Sequence, residues 1–93
     1  MKKLAGKMQT FLIRYLKMPS DVILELPRIT MVSHLHVYIE NHQGLVHYSD
    51  TELQLKIHKG YLRIKGHAFV LKTMLPSEIL LEGNIKEVTF LQE

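Results

Sequence analysis

From Arg28 onward, apolar and polar residues alternate along most of the chain. The alternation is cleanest around Lys59-Gly60, with Leu53, Leu55 and Ile57 before that pair and Leu62 and Ile64 after it. Such a period of two marks strands with one buried face, and Lys-Gly between two such runs marks a hairpin. A two-residue turn at Lys59-Gly60 would place His58 opposite Tyr61, Ile57 opposite Leu62, Lys56 opposite Arg63 and Leu55 opposite Ile64. The leucines and isoleucines then share one face, with Lys56, His58, Arg63 and Lys65 on the other. A slip by one residue would send the apolar set to the solvent side.

The same reading extends in both directions. Ile29, Met31, Leu35, Val37 and Ile39 alternate with Thr30, His34, His36, Tyr38 and Glu40, and Ser33 marks a bulge or a join. Asn41-His42-Gln43-Gly44 has the composition of a hairpin loop, since Asn and Gly tolerate positive φ. Further strands are expected over 45–48, 68–72, 78–82 and 85–91. Turns or kinks fall at Ser49-Asp50, Gly66-His67, Pro76-Ser77 and Gly83-Asn84. About six to eight short strands with regular turn signals predict a mostly β fold. A small antiparallel β-sandwich or barrel-like sheet is the expected architecture, with a short β-solenoid as the alternative.

Residues 1–18 follow a different period. Leu4, Met8, Phe11, Leu12, Tyr15, Leu16 and Met18 fall on one side of a helical wheel, and the cations fall on the other. Pro19 ends the pattern. The chain therefore divides into an amphipathic helix over 1–18 and a β domain over 19–93, where 22–26 reads as an edge strand or a helical turn. Two readings of the helix stand. Its apolar stripe covers the sheet, or it lies on a membrane or membrane protein with Lys3, Lys7, Phe11, Leu12, Arg14, Tyr15 and Lys17 as contacts.

Charge sharpens that division. Residues 1–19 carry five cations and no acid, whereas the rest carries seven cations and nine acids. The body is mildly acidic, so the net charge of +3 does not describe a general nucleic-acid binder. With 93 residues the chain suits a single domain, and no cysteine is present for disulfides, thiol catalysis or thiolate-bound metal. No apolar run approaches the ~20 residues of a membrane span, and a secretory signal is not expected.

Several segments, in order, resemble the YabP/YqfC family of sporulation proteins, and in particular its YqfC branch. They are Leu26-Pro-Arg-Ile-Thr30, Ile39-Glu-Asn-His42 with Gly44, the Gly60-x-Leu-x-Ile-x-Gly66 run, and Ile79-x-x-Glu-Gly83-x-Ile85. The resemblance covers nearly the whole chain. It implies a sporulation protein in the mother-cell cytoplasm with a YqfD-like membrane protein as partner, and the membrane reading of the N-terminal helix would make it peripheral to the membrane. It implies no enzymatic activity, catalytic residue or cofactor.

The side chains agree with a non-enzymatic reading. His34 and His36 share a strand face, and His47 could approach them if 41–44 is a hairpin loop, but no further ligand completes a metal set. The serines lack the setting of a nucleophile elbow, and no glycine-rich loop opens a helix to hold phosphate. Lys56, His58, Tyr61, Arg63 and Lys65 form a basic face with one aromatic ring, a minimal platform for nucleic acid. The expected function is an interaction module at or near a membrane. A nucleic-acid-binding small barrel and a self-assembling scaffold, with homo-oligomers, are the alternatives.

Overall fold

A computed structural model describes residues 26–93, and strands dominate them. These are β1 (Arg28–Val32), β2 (His36–Glu40), β3 (Gly44–Tyr48), β4 (Glu52–Ile57), β5 (Gly60–Met74) and β6 (Glu78–Gln92). They form one sheet in the order β1-β2-β6-β5-β4-β3, and every neighbouring pair is antiparallel. The mostly β, antiparallel expectation holds. The sheet does not close into a barrel, because β1 and β3 are its two outer strands, and the antiparallel pairing replaces the stacked rungs of a solenoid. The expected helix over 1–18 and the run over 22–25 lie outside the described residues.

β5 and β6 run through both halves of the sheet. β2 pairs with the Glu78–Glu82 half of β6, and β4 pairs with the Gly60–Lys65 half of β5. Between these halves the β5–β6 register shifts at Lys65/Gly66, His67/Val70 and Leu71/Thr73. Each irregularity bends the ladder and raises its twist. Gly66-His67 and Gly83-Asn84 therefore act as bends inside two long strands, where the sequence suggested breaks between separate ones. Glycine is needed at this waist: a Cβ on Gly66 would run into the Asn84 carbonyl oxygen and stand 2.9 Å from the Phe69 ring. A Cβ on Gly83 would stand 2.6 Å from that ring. The buried Phe69 fills the space that the two glycines leave.

The core joins both halves. Val37, Ile39, Ile79 and Leu81 on one side and Leu53, Leu55, Leu62 and Ile64 on the other are fully buried in a single cluster with Ile57, Phe69 and Ile85. Burying each such side chain contributes about 1.5–3 kcal/mol, so the cluster supplies the main driving force for folding.

Two local expectations are corrected. The β4–β5 turn is His58-Lys59, so Ile57 faces Gly60, Lys56 faces Tyr61, Leu55 faces Leu62 and Leu53 faces Ile64. Partners move by two residues, which preserves the faces and explains why the alternation reads correctly in either register. Gly60 is a strand residue; a Cβ there would overlap the Leu91 carbonyl oxygen of β6, and Lys59 takes the positive φ of 60°. Residues 41–43 are not a hairpin loop either. β2 and β3 do not pair, and the segment crosses to the opposite edge of the sheet. His42 N–H donates to the Ser77 carbonyl (3.2 Å) and Gln43 N–H to the Lys56 carbonyl (2.7 Å), which holds the crossing in place.

Candidate interaction surface

The basic face of the β4–β5 hairpin exists, but β6 neutralises much of it. Lys56 Nζ lies 3.1 Å from a Glu93 carboxylate oxygen and 5.0 Å from the Tyr61 ring centroid. Lys65 is flanked by Glu52 on β4 and Glu87 on β6. Arg63 stands between Gln54 and Thr89, with its buried Nε unpartnered. His58 is at the turn beside the exposed Lys59. Of the five residues singled out, Lys56, Tyr61, Arg63 and Lys65 share the face. They form a charge-balanced surface, which draws a polyanion weakly.

The histidines do not converge. His47 is on β3, an outer strand on the far side of the sheet from His36 on β2. His36 Nε2 instead meets Glu82 at 3.2 Å, and Lys72 Nζ lies 3.9 Å from the same carboxylate oxygen. Among the described residues, no group of three or more His, Asp or Glu is placed to hold a metal ion. At the waist, a shallow hollow of about 330 Å³ alternates Lys65 and Lys86 with Glu52 and Glu87. Thr51, Gly66 and His67 complete its lining.

The sheet edges are more distinctive. Among the described residues, Lys86–Gln92 of β6 pairs only with β5, because the pairing of β2 with β6 ends where His36 faces Glu82. Phe90 on this edge is 62% exposed although it faces the fully buried Leu62. An unpaired ladder with an exposed aromatic is suited to accept a strand from another protein.

The sequence reading missed a polar corner where 39–42 meets the start of β1. Arg28, Glu40 and Glu78 are aligned across β1, β2 and β6. Arg28 Nε lies 3.3 Å from Glu40 Oε1, an ion pair at a mostly buried carboxylate, and its geometry leaves Arg28 Nη1 without a hydrogen bond. Burial, with the Glu78 carboxylate beside it, pushes the Tyr38 hydroxyl above its usual pKa. Asn41, with φ of 66°, donates from Nδ2 to the Leu26 carbonyl (3.0 Å). His42 is buried, and burial holds its imidazole below the ordinary value despite the nearby Leu75 carbonyl. The signal available in the sequence was four polar or charged positions clustered near an Asn-x-x-Gly turn.

Comparison with known proteins places the whole sheet in context. The sequence model of the YabP family matches residues 25–93. The chain is 48% identical over 87 residues to the protein named uncharacterized protein YqfC of Bacillus subtilis (strain 168), covering 94% of each chain. No solved structure matches it.

Proposed function

The chain belongs to the sporulation-associated YabP/YqfC family, and from that membership we propose that it is a non-enzymatic interaction module acting at or near the membrane of the mother cell. Its partner on this reading is a YqfD-like membrane protein. The observation that carries the proposal is the Lys86–Gln92 edge of β6, which pairs only with β5 among the described residues and carries the exposed Phe90. Edge addition derives affinity from main-chain hydrogen bonds and specificity from the side chains alongside. The basic, acid-free segment over 1–19 supports a location next to anionic lipid.

Co-purification from sporulating cells tests the reading. The full chain is expected to retain a membrane protein, Phe90→Lys to lose it by blunting the edge, and removal of 1–18 to weaken membrane recovery. Retention of the same partner by both altered chains, or recovery of none by the full chain, refutes the proposal. The nucleic-acid alternative is disfavoured by the neutralised hairpin face, and salt-sensitive binding to single-stranded oligonucleotides would restore it.

A further inference from the structure

Among the described residues, several ladder edges lack a strand neighbour: β1, β3, β5 beyond Lys65, and Lys86–Gln92 of β6. Most of them are interrupted. β1 is short, bounded by Pro27 and by Ser33, which takes φ of 52°. β3 shifts register between Leu45 and His47. β5 beyond Lys65 contains Ala68 at φ of 57° and further shifts at His67/Val70 and Leu71/Thr73. Its Phe69 N–H is already taken by the Asp50 carbonyl at 2.9 Å. Short strands and bulges blunt an edge against further pairing. The β6 edge lacks such devices: Glu87–Gln92 pairs with β5 without a shift, and no proline, glycine or positive φ falls within it.

This edge is complementary to itself. Val88 faces Ile64 and Phe90 faces Leu62 across β5, so both lie on the apolar face, where Phe90 is largely exposed. Glu87 and Leu91 lie on the opposite face, across from Lys65 and Tyr61. The charges of Lys86 and Glu87 cancel within the segment. We infer that two copies of the chain join along Lys86–Gln92, antiparallel, about a two-fold axis at Thr89. A two-fold axis pairs a strand with itself in the antiparallel sense and presents the same patch twice. In this register each Phe90 sits against Val88 of the other copy, Thr89 against Thr89, Glu87 against Leu91 and Lys86 against Gln92. Apolar side chains meet on one face and no like charges face each other. An axis at Phe90 would set Glu87 against Glu93 of the other copy, and one at Val88 would set Phe90 against Lys86. A strand from an unrelated protein must supply apolar residues at a matching spacing, whereas a second copy carries them already, and this selects it as the occupant. The dimer needs no membrane partner, so it goes beyond the function proposed above; the two would compete for one edge.

The chain has no cysteine, so single cysteines report the pairing. Residues facing each other across an antiparallel pair have Cα atoms about 4.5–5.5 Å apart, within the span of a disulfide. Oxidised Thr89→Cys is expected to give at least about tenfold more disulfide-linked dimer than Val46→Cys, an exposed position on the β3 edge. Light scattering of the full native chain is expected to give the mass of a dimer, and Phe90→Lys, with unchanged circular dichroism, the mass of a single chain. Cross-linking of Thr89→Cys no greater than that of Val46→Cys overturns the inference. So does a native chain that stays monomeric at raised concentration, its edge covered by residues 1–25 or left to solvent. A Phe90→Lys chain that remains dimeric overturns it equally. None of these outcomes decides the co-purification test, so the membrane partner stands or falls separately.

Discussion

Nδ1 of His42 accepts a hydrogen bond from the backbone N–H of Gly44 at 3.0 Å. The acceptor nitrogen must be unprotonated, so the neutral ring carries its proton on Nε2. This one bond helps fix the crossing from β2 to β3, and the His42 N–H simultaneously holds the β5–β6 tip through Ser77. Protonating Nδ1 would replace that acceptor with a second donor in a buried site.

Stability should therefore fall in mild acid. The folded-state pKa of His42 lies below the usual 6.5, so the unfolded chain binds the proton more readily than the folded one. The contribution is fully present above about pH 6.5 and is lost as pH drops through the folded value. His42→Asn keeps an acceptor near the Nδ1 position and cannot titrate. Urea midpoints measured between neutral and mildly acidic pH should slope less in this variant than in the native chain. Identical slopes would mean that His42 does not control the acid response.

Tyr38 supplies the alkaline counterpart. Its pKa is raised above 10.0 by burial first and the neighbouring Glu78 second. The folded chain keeps this proton longer, so stability is present below the ordinary tyrosine value and declines as pH rises above it. Tyr38→Phe should flatten that decline, as followed by circular dichroism.

The Arg28–Glu40 pair should be costly to break and cheap to replace. Glu40→Leu alone leaves a largely buried guanidinium unpaired, and Arg28→Met alone leaves the mostly buried Glu40 carboxylate without its cation and directly across from Glu78. Each single change should cost about 2–4 kcal/mol, whereas the double change should cost clearly less than their sum. A double-mutant cycle by urea denaturation measures the coupling; additive losses would show the pair to be energetically independent.

The waist should tolerate no side chain at Gly66. Gly66→Ala pushes a methyl into the Asn84 carbonyl and the Phe69 ring, and the backbone oxygen cannot rotate away. A loss of about 3 kcal/mol or more is expected. Phe69→Leu/Gly66→Ala relieves only the ring contact and should recover little, which separates backbone overlap from ring crowding.

Legibility followed sequence distance. Leu53, Leu55, Ile57, Leu62 and Ile64 announced their burial because a two-residue change of register leaves a period-2 pattern intact. Asn41–Gly44 misled because a loop that crosses the sheet and one that reverses a strand use the same residues; what distinguishes them is the buried His42 and its Ser77 contact, thirty-five residues away in the chain. Gly66 and Gly83 looked like turns because their purpose, room for Phe69, is a tertiary demand. The basic hairpin face was visible as a face. Its neutrality was not, since Glu87 arrives on β6 and Glu93 just beyond its end.

The two adjacent residues Lys59 and Gly60 should respond with opposite signs, and that contrast tests the hairpin register directly. Lys59 adopts φ of 60°, a conformation that disfavours a Cβ, so Lys59→Gly should stabilise by roughly 0.5–1 kcal/mol after the entropy of the freer unfolded chain is deducted. Gly60 has ordinary strand geometry but abuts the Leu91 carbonyl, so Gly60→Ala should destabilise by about 2 kcal/mol or more. A turn centred on Lys59-Gly60 would free Gly60 from β6 and remove that contact. Chemical denaturation of the two variants separates the registers: a mild effect of Gly60→Ala together with a loss at Lys59→Gly would contradict the pairing of Ile57 with Gly60.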